Sequence, residues 1–228
     1  MVVAALTVLH WASLAAATRS RQRSKDRRAL RTVLQAPGVI LMGVTTALLT
    51  AIQVGVLVFL FPLYLLTYAG LGPKAVGTVV SLSVLGRLMA LWLGGTLSDR
   101  WGRMPVLIPG LLVYALLLAG TSRLTGPVFL GVCSFAIGAT AGFVAAVPTA
   151  LTSDQVEPPL QGIAIGWIRT MSDSGQVMGP LVMGALADAV DLSAPFLVGA
   201  VLLAGTAWQC RRQAIALANA NAEAGGGS

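Results

Sequence analysis

Long apolar runs separated by short polar breaks dominate the sequence. A helix needs roughly 20 apolar residues to cross a membrane, and the runs lack the strict alternation that a membrane β-strand would show. Breaks such as "YAGLGPK" and "SRLTG" predict tight connections. The pattern therefore predicts seven membrane spans: Val2–Ala17, Val39–Leu66, Ala75–Leu97, Pro105–Thr121, Pro127–Ala150, Gly162–Ala187 and Ala194–Cys210.

The first apolar run has a second interpretation, because a short apolar segment at an N-terminus can be a signal peptide. Signal peptides carry their positive charge before the apolar run, whereas here the basic residues follow it. We therefore expect a true span over residues 1–17, with its N-terminus outside. A basic loop over 18–37, a six-helix bundle over 38–212 and a disordered, low-complexity tail over 213–228 are expected to follow.

The composition makes the membrane assignment firm. Hydrophobic residues are 56% of the chain, charged residues are 10% and the mean hydropathy is +0.83, whereas soluble domains carry about 25% charged residues. The expected fold class is an all-α polytopic membrane protein embedded in the lipid bilayer. One histidine and two cysteines within spans (His10, Cys133 and Cys210) give no metal centre or disulfide framework, so we expect no cofactor.

Positive charge sets the orientation. The net charge is +7, and the run "TRSRQRSKDRRALR" holds much of it. Nucleic-acid binding is the alternative interpretation, but no aromatic platform accompanies the run, so we expect a cytoplasmic loop near anionic lipid and no nucleic-acid partner. We expect the C-terminus to be cytoplasmic and the protein to lie in the cell (inner) membrane. The basic residues that we place on the cytoplasmic side are Arg19, Arg21, Arg23, Lys25, Arg27, Arg28, Arg31, Arg100, Arg103, Arg211 and Arg212.

A five-residue motif occurs twice. Gly95-Thr-Leu-Ser-Asp99 and Gly184-Ala-Leu-Ala-Asp188 both read G-x-L-[S/A]-D and lie 89 residues apart. The topology places the first copy at the cytoplasmic side and the second outside. Two three-helix repeats of inverted orientation would produce this arrangement.

Three charged residues fall inside the predicted spans. Arg87 precedes Asp99 by twelve residues, roughly 18 Å along a helix, which places it near the membrane midplane. Arg169 and Asp173 are four residues apart and share a helix face. Intramembrane charges are expensive and indicate a functional site by default.

These charges have two interpretations. One is a static ion pair that fixes helix positions; the other makes Asp173 a protonation site whose arginine partner changes. The surplus positive charge requires an acid in a missing segment or an anionic substrate. Candidate polar substrate contacts are Gln53 and Gln176.

The motif around Asp99 carries a family resemblance. The stretch "GGTLSDRWGRMP" resembles the signature loop of the major facilitator superfamily, G-x-L-[S/A]-D-R-x-G-R-[R/K], with Met104 in place of the last basic residue. "FPLYLLTYAGLGPKAVGTVVSLSVLGRL" resembles the family's seventh and eighth helices. "SDQVEPPLQGIAIGWIRTMSDSGQVMGPLVMGALAD" resembles the eleventh helix, with its preceding loop, of the drug-exporter-like branches. The resemblance covers residues 1 to about 212.

The resemblance implies the C-terminal half of a transporter: the sixth helix, the central loop and the last six helices. It implies a secondary transporter, not an enzyme, that moves a small molecule by alternating access, as a proton-coupled antiporter for efflux. An N-terminal transporter half or a second copy would then be needed. The alternative is a non-transporting half or remnant that requires a partner chain.

The resemblance also suggests roles for two groups of residues. The charge cluster is expected to latch the two transporter halves in one state, or, in the alternative, only to fix the topology and a turn; its members are Gly95, Asp99, Arg100, Gly102, Arg103 and Asp154. Glycines along the eleventh helix are expected to allow close packing, and a proline there to allow a bend. These residues are Gly175, Gly179, Pro180 and Gly184.

Overall fold

The computed structural model describes residues 29–36, 38–121 and 126–225, and the described residues are almost entirely helical. Residues 29–35 form a short helix. Six long helices follow: α1 (Val39–Thr67), α2 (Pro73–Trp101), α3 (Arg103–Thr121), α4 (Pro127–Asp154), α5 (Gln161–Ala189) and α6 (Ala194–Gly225). The predicted first span and most of the basic loop lie outside the described residues.

Four of these helices, α1 to α4, are long and apolar enough to cross a membrane. Helices α5 and α6 are as long but contain more polar residues. The six spans expected after residue 38 therefore all correspond to helices, and the predicted all-α polytopic membrane fold is confirmed.

The expected disordered tail is wrong for residues 213–225. Helix α6 continues to Gly225, far beyond the expected end of the span at Cys210. The sequence "AIALANANAEA" is rich in alanine, which has the highest intrinsic helix propensity. The low complexity of this segment therefore reflects a helix rather than disorder.

Proline and glycine set several helix boundaries. Pro73 and Pro127 are the first residues of α2 and α4, where the missing N–H has no helical acceptor to lose. Between α2 and α3, Gly102 has a φ angle of +94°, a backbone conformation that residues other than glycine rarely adopt. Gly102 thus lies at the tight turn between the two helices, and α3 begins at Arg103, two residues before the expected start at Pro105.

The most extensive helix contacts join α2 with α4, α1 with α5, and α3 with α6. If α1–α3 and α4–α6 are equivalent three-helix units, α1 corresponds to α4, α2 to α5 and α3 to α6. The α1–α5 pair is then equivalent to the α4–α2 pair, and the α3–α6 pair is equivalent to itself. Helix α2 ends beside the end of α4, where Arg103 meets Asp154. The end of α5 lies at the opposite end of the bundle, where Asp191 meets Tyr68 at the end of α1. This pairing supports the inverted repeat.

Glycine positions in the two helix pairs follow the same spacing. A Cβ placed on Gly86 would lie 2.3 Å from the carbonyl oxygen of Phe135, and one on Gly175 would lie 2.2 Å from that of Ala47. The two glycines are 89 residues apart, and their partners are 88 apart. The α2–α4 and α1–α5 pairs are therefore packed through equivalent backbone contacts, of the kind that small residues permit in membranes.

Candidate functional site

A polar cavity of about 270 Å³ lies between α1, α4 and α5. The other cavities described are lined mainly by apolar side chains. Four residues predicted from the sequence line it together: Gln53, Arg169, Asp173 and Gln176. Hydroxyl side chains complete its polar surface: Thr46, Thr50, Thr149 and Ser172.

The cavity takes its polar side chains from regular helix positions. Asp173 and Gln176 lie three residues apart, and Arg169 lies one turn before Asp173, so α5 presents all three on one face. Helix α1 contributes Gln53 and Thr50 from the opposite wall. The Oγ atoms of Thr50 and Ser172 lie 3.2 Å apart and join the two walls by a hydrogen bond.

The hydroxyl groups of α1 are satisfied locally. Thr46 donates to the carbonyl of Met42 at 2.8 Å, and Thr50 donates to that of Thr46 at 2.7 Å. Threonine can satisfy its hydroxyl within a helix in this way. The helix consequently tolerates polar side chains in an apolar setting while presenting their oxygen atoms to the cavity.

Asp173 is exposed in the cavity and accepts a hydrogen bond of 3.4 Å from the side-chain amide of Gln176. Within the described residues, it forms no ion pair with Arg169. The static ion pair considered above is therefore absent from this conformation. Both charged groups remain available to a ligand, to water or to each other.

Arg87 does not line this cavity. It lies half-buried on α2, where its backbone is so close to α4 that a Cβ on Gly142 would be 2.3 Å from the Arg87 carbonyl oxygen. Its guanidinium interacts electrostatically with Tyr114, a buried residue whose hydroxyl has no hydrogen-bond partner among the described residues. Arg87 itself forms no ion pair in the described part of the chain.

A second polar site lies at one end of the bundle. We call this site the arginine end, and its residues are Asp99, Arg100, Arg103 and Asp154. Arg103 pairs with Asp99 at 2.7 Å and with Asp154 at 2.8 Å, and it donates to the hydroxyl of the buried Ser98 at 3.4 Å. Arg100 is exposed and forms no ion pair with the described residues. The cluster thus binds the α2–α3 turn to the end of α4 within one bundle.

Two glycines of the repeated motif do not form close helix contacts with the described residues. Gly184 was expected to allow close packing, but a Cβ on Gly184, or on Gly95, would meet no atom of the described residues within 4 Å. The neighbouring Gly94 makes the contact instead, where a Cβ would lie 2.2 Å from the Phe143 carbonyl oxygen. Adjacent helix residues point about 100° apart, so a shift of one position moves the contact to another face. Gly175 and Gly179 do pack on the backbone of α1, against Ala47 and Ala51.

A π-helical segment at the site has no recognisable signature in the amino-acid sequence. Residues Gln53–Leu60 of α1 form a π-helical segment, which begins at the cavity. Inside it, a Cβ on Gly55 would lie 2.6 Å from the carbonyl oxygen of Gly179. Segments of this kind often occur at functional sites. Pro180 follows this crossing and lies within an uninterrupted α5.

Comparison with known proteins identifies the family. The sequence model of the Major Facilitator Superfamily matches residues 43–216, most of the chain. The chain belongs to this superfamily. The match covers nearly all of α1–α6, including the polar cavity and the arginine end.

Curated relatives of this Major Facilitator Superfamily chain are named as drug-resistance proteins. The chain is 29% identical over 171 residues to multidrug resistance protein MdtG of Klebsiella pneumoniae (strain 342), covering 73% of this chain and 41% of that protein. It is 29% identical over 185 residues to MdtG of Escherichia coli (strain SMS-3-5 / SECEC), covering 79% and 45% respectively. The chain spans less than half the length of these curated relatives.

Proposed function

We propose that the chain forms the C-terminal half of a secondary transporter that exports small molecules by alternating access, driven by proton antiport. The observation that carries this proposal is the cavity between α1, α4 and α5, because it gathers charged and amide side chains inside an otherwise apolar bundle. Polar groups in such a setting mark substrate and ion pathways. A binding site near the middle of the membrane is also what transporters built from inverted repeats use.

Asp173 is the proposed proton-binding residue. Its carboxylate is exposed in the cavity, with a weak hydrogen bond from Gln176 and with Arg169 one helical turn away. Loss of water favours the neutral form of a carboxylic acid, whereas an approaching arginine favours the ionised form. A cavity that closes and reopens could thus alternate between binding and releasing one proton at Asp173, and Gln53 and Gln176 would contact the substrate.

The other half of the cavity must come from elsewhere under this proposal. An N-terminal half or a second copy of the chain would pack against the open side of the cavity. The names of the curated relatives support drug-like molecules as substrates and export from the cell as the direction. The excess of basic residues supports a cytoplasmic arginine end. The rival proposal is a half that does not transport by itself and acts only with a partner chain.

The proton-coupling role is tested by Asp173→Asn in the assembled transporter, reconstituted in vesicles with an imposed pH gradient. We expect gradient-driven flux to fall at least tenfold while insertion and folding remain intact, because asparagine fills the same volume but cannot release a proton. Asp188→Asn is the matched control, since it removes an acid from the same helix outside the cavity. Undiminished flux in Asp173→Asn would contradict the coupling role.

The need for a second half is tested by the intact mass of the native polypeptide, taken from source membranes. A mass about double the 23.4 kDa of this chain would mean that one polypeptide supplies both halves. A mass near 23.4 kDa, combined with cross-linking to a second chain or copy, would mean that the halves assemble. A monomer of 23.4 kDa that sustains flux in vesicles would contradict the requirement.

A further inference from the structure

Polar side chains also meet at the end of the bundle opposite the arginine end, which we call the tyrosine end (Tyr68, Asp191 and Ser193). The Tyr68 hydroxyl donates a hydrogen bond to Asp191 Oδ1. The Ser193 hydroxyl donates to Asp191 Oδ2 at 2.5 Å, and the Ser193 backbone N–H donates to the same oxygen at 3.4 Å. One half-buried carboxylate thus connects the residue after α1 to the turn between α5 and α6.

These contacts keep the carboxylate charged. The hydrogen bonds from Ser193 and Tyr68 lower the pKa of Asp191 to about 2, because they stabilise the ionised form. The same hydrogen bond to Asp191 raises the pKa of Tyr68. At neutral pH the pair is therefore a neutral donor on a charged acceptor, which is stronger than a hydrogen bond between two neutral groups.

The tyrosine end is the structural equivalent of the arginine end. The repeat relates α2 to α5 and α4 to α1, so the turn after α2 corresponds to the turn after α5, and the end of α4 to the end of α1. In the first position, Arg103 binds Asp154 at 2.8 Å; in the second, Asp191 binds Tyr68. Each contact ties the turn between the second and third helices of one repeat to the end of the first helix of the other.

The contact holds the part of α1 that follows the π-helical segment. Tyr68 stacks on Tyr64, with ring centroids 5.4 Å apart and planes 9° apart. Tyr64 packs on Phe196 of α6 at 5.3 Å and donates to the carbonyl of Thr121 at 3.4 Å. The final turns of α1, Phe61–Thr67, are consequently held by aromatic packing and by one hydrogen bond to the α5–α6 turn.

We propose that Tyr68 and Asp191 form a clamp that fixes these final turns of α1, and that the clamp opens when they pivot about the π-helical segment Gln53–Leu60. A π-helical segment serves as the pivot because its widened turns already depart from regular α-helical hydrogen bonding. The link between clamp opening and substrate movement rests on the proposed transport function. The clamp itself is a property of the bundle and needs no substrate.

Cysteine labelling tests the clamp. Leu65 is fully buried, so a Leu65→Cys reporter reacts with a water-soluble maleimide only when the final turns of α1 move. The reporter is placed in the full chain in detergent, with the two buried cysteines, Cys133 and Cys210, replaced by alanine. We expect Tyr68→Phe and Asp191→Asn each to raise the labelling rate about threefold or more.

Thr67→Val is the matched control, because it removes a neighbouring hydroxyl that donates to the carbonyl of Leu63 within α1 and leaves the bond to Asp191. Its labelling rate should equal that of the reporter alone, and the double variant of Tyr68 and Asp191 should label no faster than the faster single variant. If either single variant fails to fold, Ser193→Ala replaces it and should give a smaller increase. Unchanged rates in the folded clamp variants would overturn the clamp, whether or not the assembled protein transports.

Discussion

The α1–α5 and α2–α4 pairs are packed alike and differ in their chemistry. Both bring a glycine onto the partner's backbone at equivalent positions, Gly175 on Ala47 and Gly86 on Phe135. Yet the polar cavity of about 270 Å³ lies along α1 and α5. Within the repeated scaffold, the glycines provide the close packing, and other residues provide the polar surface of the cavity.

Equivalent positions show where the two pairs diverge. With the 89-residue spacing, Asp173 corresponds to Val84 and Arg169 to Val80, whereas Gln176 corresponds to Arg87. The α2–α4 pair therefore lacks the acid and has its own intramembrane cation. The repeat therefore determines how closely the helices approach, while a few side chains on one helix face determine what the site can bind.

The largest expected effect concerns the shared packing. Gly86→Ala and Gly175→Ala should each lower the free energy of unfolding by about 3 kcal/mol, because a Cβ would lie 2.3 Å and 2.2 Å from backbone oxygen atoms that have little freedom to move. The two losses should agree closely if the pairs are equivalent. Unfolding of purified protein in detergent by denaturant gives the measurement.

Gly95→Ala and Gly184→Ala are the matched controls for this packing. No atom of the described part of the chain lies within 4 Å of a Cβ at either position, so both variants should be unchanged or gain up to about 1 kcal/mol from the higher helix propensity of alanine. A large loss for Gly86→Ala with none for Gly175→Ala would break the equivalence of the two pairs.

The next largest effect concerns Arg87, the intramembrane cation that α2 carries and α5 lacks at the equivalent position. Arg87→Gln makes α2 carry the same residue as α5 at the equivalent position. If Arg87 compensates substrate charge, the assembled transporter should lose about tenfold in the flux of anionic substrates, about 1.4 kcal/mol, and much less for cationic ones. Lys74→Gln, which removes a positive charge at the first turn of α2, is the control. Equal losses for both substrate classes would assign Arg87 a structural role.

A smaller effect distinguishes the two arginines of the arginine end. Arg103 binds Asp99 and Asp154, whereas Arg100 forms no ion pair with described residues. Arg103→Gln should cost about 1 kcal/mol of stability, the upper range for partly exposed pairs, and Arg100→Gln should cost almost nothing. Thermal unfolding of both variants gives the comparison. Since each removes one positive charge from the same turn, equal effects would favour a role in topology alone.

The sequence predicted the helices better than their contacts. Apolar length alone located α1–α6, and residue spacing on one helix brought Arg169, Asp173 and Gln176 to one face. Which of Gly94 and Gly95 meets α4 depends on a rotation of about 100°, which the sequence does not show. The π-helical segment that begins at Gln53 packs against α5, and Gln53 lines the same cavity as the polar face of α5. Both features depend on the pairing of α1 with α5, which is a tertiary property that the sequence does not show.

The smallest expected effect concerns the tyrosine end and its response to acid. The pKa of Asp191 is lowered from its ordinary value of 3.8 to about 2, so the folded protein binds this proton less readily than the unfolded chain. The resulting stabilisation is fully present above about pH 4 and is lost as the pH falls towards 2. Thermal unfolding between pH 6 and about pH 2 should therefore show a difference in stability between the parent and Asp191→Asn that shrinks in acid.

The arginine end provides the control. When Arg103→Gln is added to both proteins, the stability difference due to Asp191→Asn should depend on pH in the same way, because the two ends of the bundle are separate. A difference that stays constant from neutral to acid pH would mean that Asp191 is not held in its ionised form by Tyr68 and Ser193.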